Sequence, residues 1–179
     1  MSYSVLKSGT DIRGIASNLG GKQVNLTAEA VYDITAAFLV WYINKYDKNP
    51  TEMTVAVGHD SRITGESIAA KVKEALVNAG VTVLDCSLAS TPSMFMTTVD
   101  LKTDAAVQIT ASHHPFDRNG LKFFTPEGGL DASDIEEIVR LADNAEEIIC
   151  NKAGTVKPCN YMVQYAARLR KMICEAVGK

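Results

Sequence analysis

The chain is 179 residues long, 46% hydrophobic and 22% charged, with a formal net charge of −3. That length suits one domain, or one domain with an appended element, and can bury a core without disulfide or metal staples. The mild acidic balance argues against nucleic acid or an anionic membrane as the principal partner, and no apolar run reaches membrane-spanning length.

The N-terminus, MSYSVLKSG, lacks the apolar core of a signal peptide, so the expected location is cytoplasmic. From there the pattern alternates between helical and strand spacing, without internal repeats or low-complexity tracts. Residues 27–46 place Val31, Ile34, Phe38 and Trp41 on one helical face, and Asn49-Pro50 stops the helix. Residues 53–57 form a short apolar run ending at Gly58 and read as a buried strand. Residues 65–79 return to helix, with Ile68, Val72, Ala75 and Ala79 on one face and Gly80 as the stop. A strand is expected over 81–85, and a short helix over 91–99 with Pro92 in its first turn. Strands follow at 105–110 and 121–124. Ser133 and Glu136 have capping-box spacing, opening a helix that buries Ile135, Ile138, Val139 and Ala142.

Strands separated by helices predict a three-layer α/β/α sandwich with a small mixed, mostly parallel sheet. The link from Thr110 to Leu121 is too short for a helical crossover, so the 121–124 strand is expected to run antiparallel, at one edge. Residues 1–153 are expected to form this domain. Residues 154–179 are expected to be a C-terminal extension, a loop around Gly154–Pro158 and then a helix over 160–177 leading toward a second domain. Tyr165, Leu169 and Ile173 lie along that helix. Cys86, Cys150, Cys159 and Cys174 have no C-x-x-C pairing and no metal-like spacing, and read as reduced thiols packed as small hydrophobes.

Ligands of open α/β sheets gather outside the carboxyl ends of parallel strands. Three segments fall there: 58–64 (GHDSRIT), 87–92 (SLASTP) and 111–120 (ASHHPFDRNG). A fourth polar segment, 7–14 (KSGTDIRG), lies near the N-terminus. Ser112 follows a strand, between a small residue and a histidine, and is not part of a G-x-S-x-G elbow. It reads either as a chemically used hydroxyl, with His113 within bonding reach, or as a turn serine capping a backbone N–H. His113 and His114 resemble metal ligands in composition, but neighbours in an extended loop point apart and no third ligand is in register. Arg13, Arg62 and Lys122 each stand near a glycine in one of these segments. Arginine forks and lysine point charges hold phosphate oxygens, and glycine lets backbone N–H groups approach the same anion. Asp11 and Asp60 either anchor these cations or cap turns.

Taken together, the segments resemble the N-terminal domain (domain I) of the α-D-phosphohexomutase superfamily, the phosphoglucomutase/phosphomannomutases. KSGTDIRG resembles the family's opening S-G-T-x-x-x-R-G, GHDSR its G-x-D-x-R loop, TASHHP its phosphoserine signature T-A-S-H-N-P, and RNGLKFF the N-G-x-K segment that follows. Thr91-Pro92 falls where the family has T-P. The likeness covers nearly the whole chain, in four ordered motifs.

The resemblance implies an intramolecular phosphotransferase (an isomerase) that interconverts hexose 1-phosphate and hexose 6-phosphate. A phosphoserine at Ser112 would donate its phosphoryl group to the sugar, giving a hexose 1,6-bisphosphate intermediate. It further implies Arg13 and Lys122 beside the transferring group, Lys122 as general acid/base, and His113 supporting the serine loop. Arg62 is implied in electrostatics or loop structure, and Thr10, Asn119 and Gly120 in phosphate or substrate binding. Mg2+ would bind through the phosphoryl group on Ser112, with its other ligands in a second domain.

Two departures from the family pattern stand out. His114 occupies the usual asparagine position. The family's D-G-D-x-D-R metal loop, its G-E-x-S-G-H sugar loop and its C-terminal phosphate segment do not occur here. Domains II–IV are therefore expected as partners, and the domain alone is expected to be inactive. The alternatives are a phosphoglucosamine-type mutase of the same superfamily, or a non-catalytic sugar-phosphate-binding module.

Overall fold

A computed structural model of the chain describes residues 2–178. A 3-10 turn, Tyr3–Leu6, leads into β1 (Lys7–Ser8) and β2 (Asp11–Ile15), a hairpin closed by Gly9 and Thr10. Gly9 takes φ +63°, which a two-residue hairpin loop asks for and glycine adopts without strain. α1 (Ala28–Tyr46) begins at Thr27, whose side chain accepts the Ala30 N–H. Next come β3 (Thr54–His59), α2 (Gly65–Asn78), β4 (Thr82–Leu88), α3 (Thr91–Asp100) and β5 (Ala105–Ile109), as the hydrophobic spacing predicts. The chain continues through β6 (Arg118–Thr125), β7 (Gly128–Gly129), α4 (Ala132–Asp143), β8 (Thr155–Pro158) and α5 (Tyr161–Val177).

All eight strands join one sheet in the order β1-β2-β6-β5-β3-β4-β8, with β7 paired to β6. The half made of β5, β3, β4 and β8 is parallel, and β1, β2, β6 and β7 add antiparallel pairings. One face carries α1, α2 and α4 over a continuous core that includes Val55, Val57, Val107, Leu121 and Phe123. The ring of Phe123 stacks on Phe38 of α1 at 4.4 Å, a contact that adds to the ~2–3 kcal/mol of burying such a side chain. The other face carries α3 and Tyr161 of α5 over the small residues Ala56 and Ala106, with Met94 and Phe124. The α/β/α layering agrees with the expectation.

Several local expectations are corrected. The β6 strand is antiparallel as expected, yet it is not at an edge: β2 pairs with its far side, Ile12 opposite Leu121 and Arg13 opposite Gly120. With β2 included the sheet has eight strands and is mixed, parallel over β5, β3, β4 and β8. KSGTDIRG is therefore a hairpin rather than a loop. The α4 box is formed by Asp131 and Asp134, with Asp131 accepting the Ser133 and Asp134 N–H groups. Glu136 instead pairs with Lys7 at 2.7 Å. Finally, Thr155–Pro158 is a strand, parallel to β4, not a loop.

The tight β2–β6 pairing depends on Gly120. A Cβ there would overlap the Ile12 carbonyl oxygen and lie 3.0 Å from both Arg13 Cγ and the Thr110 carbonyl oxygen. Gly120→Ala should therefore destabilise the fold by about 2–3 kcal/mol through overpacking. The readout is a lower urea midpoint at unchanged m-value.

Candidate functional site

β3, β4 and β5 are parallel neighbours, so the loops after them open on one end of the sheet. The loop after β4 is knit into the scaffold. Its Ala89 N–H bonds the His59 carbonyl, Gln108 Nε2 donates to the Ala89 carbonyl at 3.1 Å, and Ser90 caps α3. The loops after β3 and β5 are built as a pair. Asp60 N–H bonds the Ile109 carbonyl at 3.0 Å. Thr110 Oγ1 accepts the Ser112 N–H at 2.9 Å and donates to Asp60 Oδ2 at 2.7 Å. Asp60 Oδ1 in turn accepts the Arg62 N–H.

The Arg62 guanidinium then closes the loop from below. Nη1 donates to the carbonyls of Pro115 and Arg118 at 2.8 and 2.9 Å, and Nη2 to those of Ser112 and His114, both at 2.8 Å. With these donors used on backbone oxygens and Nε 3.4 Å from Asp60 Oδ2, Arg62 organises the loop. Of its two expected roles, the contacts correspond to the structural one.

Ser112 sits at the top of this loop, exposed, at φ +54°. The left-handed region is costly for a residue with a side chain and persists only where surrounding bonds over-determine it. Ser112 Oγ lies 3.3 Å from His113 Nδ1. It borders an open cleft of about 380 Å³ lined by Asp60, Arg62, Ile63, His114 and Phe116 among others.

Beside the loop lies a cation pair on one buried carboxylate. Asp11 Oδ2 accepts from Arg13 Nη2 and Oδ1 from Lys122 Nζ, each at 2.7 Å. Strand alternation explains the grouping. Ile12 and Leu121 face the α1/α2/α4 core, so Asp11, Arg13 and Lys122 face the opposite side together. Arg13 Nη1 reaches His114 Nε2 at 2.8 Å and so ties β2 to the serine loop. As guanidinium only donates, His114 Nε2 is the acceptor and the ring is neutral with its proton on Nδ1. Partial burial first, and then the positive charges of Arg13 and Arg118, hold the His114 pKa below its ordinary 6.5.

Asn119 is fully buried, donating to Thr64 Oγ1 at 3.0 Å and accepting the Gly120 N–H at 2.9 Å. Gly120 lies under Arg13. Thr10 is exposed at the hairpin tip, adjacent in the chain to Asp11. Thr110 escaped the sequence reading as a functional residue, being taken as the end of a strand. Its position two before Ser112 is the spacing at which a threonine hydroxyl takes a backbone N–H.

Residues 6–148 match the family model for phosphoglucomutase/phosphomannomutase, alpha/beta/alpha domain I. The chain belongs to this family. It is 34% identical over 146 residues to a phosphoglucosamine mutase of Leuconostoc mesenteroides, covering 79% of the chain and 30% of that protein. A phosphomannomutase of Vibrio cholerae is 31% identical over 132 residues, covering 72% and 28%. The chain thus spans about 30% of the length of such relatives. A crystal structure of a phosphoglucomutase/phosphomannomutase family protein from Burkholderia thailandensis shares the fold, with a TM-score of 0.76 at 22% identity, over 94% of this chain and 36% of that one.

Family membership raises the question of a metal. Among the described residues there is no group of three or more His, Cys, Asp or Glu side chains able to cage a cation. Asp11 and Asp60 are already engaged by cationic and hydroxyl donors. The domain I residues therefore do not fit a metal by themselves. No helix among the described residues is long and apolar enough to cross a membrane.

Lysine cannot reproduce the four-carbonyl fork of Arg62. Arg62→Lys should raise amide hydrogen exchange over residues 112–118 by at least ~10-fold while the strands stay protected, a change of about 1.4 kcal/mol or more in local opening. In NMR titrations the His114 ring should protonate below 6.5, and Arg13→Ala should move its midpoint upward. Since the folded value is below the unfolded one, the stability that the neutral ring contributes is present above 6.5 and lost as pH falls through the folded value.

Proposed function

We propose that the chain is the phosphoserine-bearing domain of a phosphohexomutase, an intramolecular phosphotransferase acting on hexose or hexosamine phosphates. The observation that carries the reading is the presentation of Ser112. It is an exposed hydroxyl on a strained turn whose backbone is fixed by Arg62, Thr110 and Asp60, beside a cleft, in a loop that Arg13 touches through His114.

In this reading Ser112 Oγ carries a phosphoryl group of about −1.5 to −2 charge. A free hydroxyl of the sugar monophosphate attacks phosphorus, the P–Oγ bond breaks, and the sugar leaves the step as a bisphosphate. After the sugar turns, Ser112 Oγ attacks its other phosphate and the sugar is released as the isomer. Phosphoryl transfer of this kind is catalysed by positioning and charge stabilisation. Arg13 and Lys122 would supply the charge. Lys122, paired with Asp11, would stabilise charge and act as general acid/base on the sugar hydroxyl, taking its proton in the neutral form and returning it as the acid in the second transfer. His113 Nδ1, 3.3 Å from Oγ, would handle the serine proton. Arg62, Asn119 and Gly120 would act by shaping the loop, and Thr10 by flanking Asp11. Mg2+, as a family-type cation, would offset the transferring charge. The phosphoryl group on Ser112 would be one of its ligands, and the others would lie in further domains of the full protein. Residues 154–179 would lead toward those domains.

The relatives carry both phosphoglucosamine mutase and phosphomannomutase names, so both sugars fit this reading, and the choice between them would fall to the remaining domains. The test is to incubate the full protein to which this domain belongs with glucose 1,6-bisphosphate and Mg2+ and to map its peptides by mass spectrometry. One phosphoryl group should appear on Ser112 and vanish in Ser112→Ala, while coupled assays with sugar 1-phosphates show little or no turnover by the domain alone. Label on another residue, unaffected by Ser112→Ala, would reduce TASHHP to a turn.

A further inference from the structure

The parallel pairing of β4 with β8 brings together two cysteines far apart in sequence. Leu84 lies opposite Lys157 and Asp85 opposite Pro158. The Cys159 N–H extends the ladder to the Asp85 carbonyl at 2.8 Å. The next pair in register is Cys86 and Cys159. Both pack in the cluster on the α3/α5 face, so both thiols project from the same side of the sheet. Neighbouring strands lie about 4.7–4.9 Å apart, inside the roughly 4.4–6.8 Å Cα separation that disulfides span. Cys86 is buried, and its thiol donates weakly to the Leu84 carbonyl at 3.8 Å, whereas Cys159 is partly accessible. Cys150 and Cys174 are free thiols as well, and neither belongs to this cluster.

The segment that follows Cys159 is thinly attached. All four β8 residues are exposed, and α5 buries Tyr161 alone. Tyr161 and Arg168 both bond Asp100, at 2.6 and 2.5 Å, the main polar tie to α3. A covalent link at the start of α5 would therefore change how firmly this segment is held.

We propose that Cys86 and Cys159 are a disulfide site that clamps the β8–α5 segment to the sheet, formed by exchange with a low-molecular-weight disulfide. The partly accessible Cys159 reacts first. Its thiolate attacks the small disulfide, forming a mixed disulfide and displacing one thiolate. The Cys86 sulfur, its proton lost to water, then attacks Cys159 sulfur and displaces the second. The net change oxidises two protein thiols to one disulfide and reduces the small disulfide to two thiols. Burial and the adjacent Cys159 thiol push the Cys86 pKa up to about 12, so the second step is the slow one.

The test uses the full chain and a Cys150→Ser/Cys174→Ser variant, each incubated with glutathione disulfide and mapped without reduction. In both, the Cys86 and Cys159 peptides should become linked, both thiols should disappear from titration in denaturant, and thiol reductant should restore them. The oxidised variant should melt roughly 5–10 °C above its reduced form. A glutathione adduct that persists on Cys159, with Cys86 still titratable after unfolding, would overturn the proposal. So would linkage of Cys159 to Cys150 or Cys174 in the full chain, or an unchanged melting temperature.

Discussion

One guanidinium holds the serine loop in shape. Four carbonyl oxygens, those of Ser112, His114, Pro115 and Arg118, converge on Arg62. Hydrogen bonds to a charged donor contribute about 1.5–3 kcal/mol each, and together they outweigh the ~1–3 kcal/mol cost of a left-handed serine. The electrostatic result matters as much as the energy. Carbonyl dipoles that would repel an incoming anion point at Arg62 instead, so the outer surface of the loop is left to the Ser112 hydroxyl. A neutral donor could tether the backbone, but it would not cancel those dipoles.

The cation pair follows a different logic. Asp11 is buried, and a buried carboxylate without partners would be costly. Arg13 and Lys122 satisfy both its oxygens, and the three together carry a single positive charge. The period-two alternation of β2 and β6 places them on one face, and Gly120 leaves room for the Arg13 stem. His114 then couples this cluster to the serine loop through Arg13. The N-terminal hairpin and the serine loop, 101 residues apart at Arg13 and His114, thus meet through one imidazole. The asparagine usual at that position would be uncharged at any pH, and a histidine makes the junction sensitive to protonation.

Much of this was legible in the sequence because local signals agreed with the fold. The helix at α1, the buried strands β3 and β5, and the left-handed stop at Gly80 follow from spacing and glycine placement. The four motifs located the site residues, but a motif does not say what each residue touches. Asn119 and Gly120 sit in one, and only the sheet register shows that they are buried in the β2–β6 pairing. β2 was missed because D-I-R-G ends in a glycine that looks like a turn. In the fold that glycine lets the side chains of Leu6, Asn25 and Leu26 approach where a Cβ would stand. β8 was missed because its four residues are exposed, follow a glycine and end in a proline, so no burial pattern marks it as a strand. The α4 box was displaced because aspartate and serine compete for the same cap, and Asp131 serves two N–H groups from one oxygen.

β8 also has a bearing on solubility. Without it, β4 would end the sheet as an open row of peptide groups next to the buried residues Val83 and Cys86, the kind of rim on which a second chain can add a strand. β8 occupies that rim, then stops further growth with Lys157, a charge on the outer strand, and with Pro158, which lacks an N–H to donate. A domain trimmed at Ala153 would keep the α1, α2 and α4 core and its serine loop, yet lose Tyr161 from the opposite face and present an adhesive border. Preparations cut there would be expected to associate edge to edge, and the four exposed residues that look dispensable are what keeps the sheet finite.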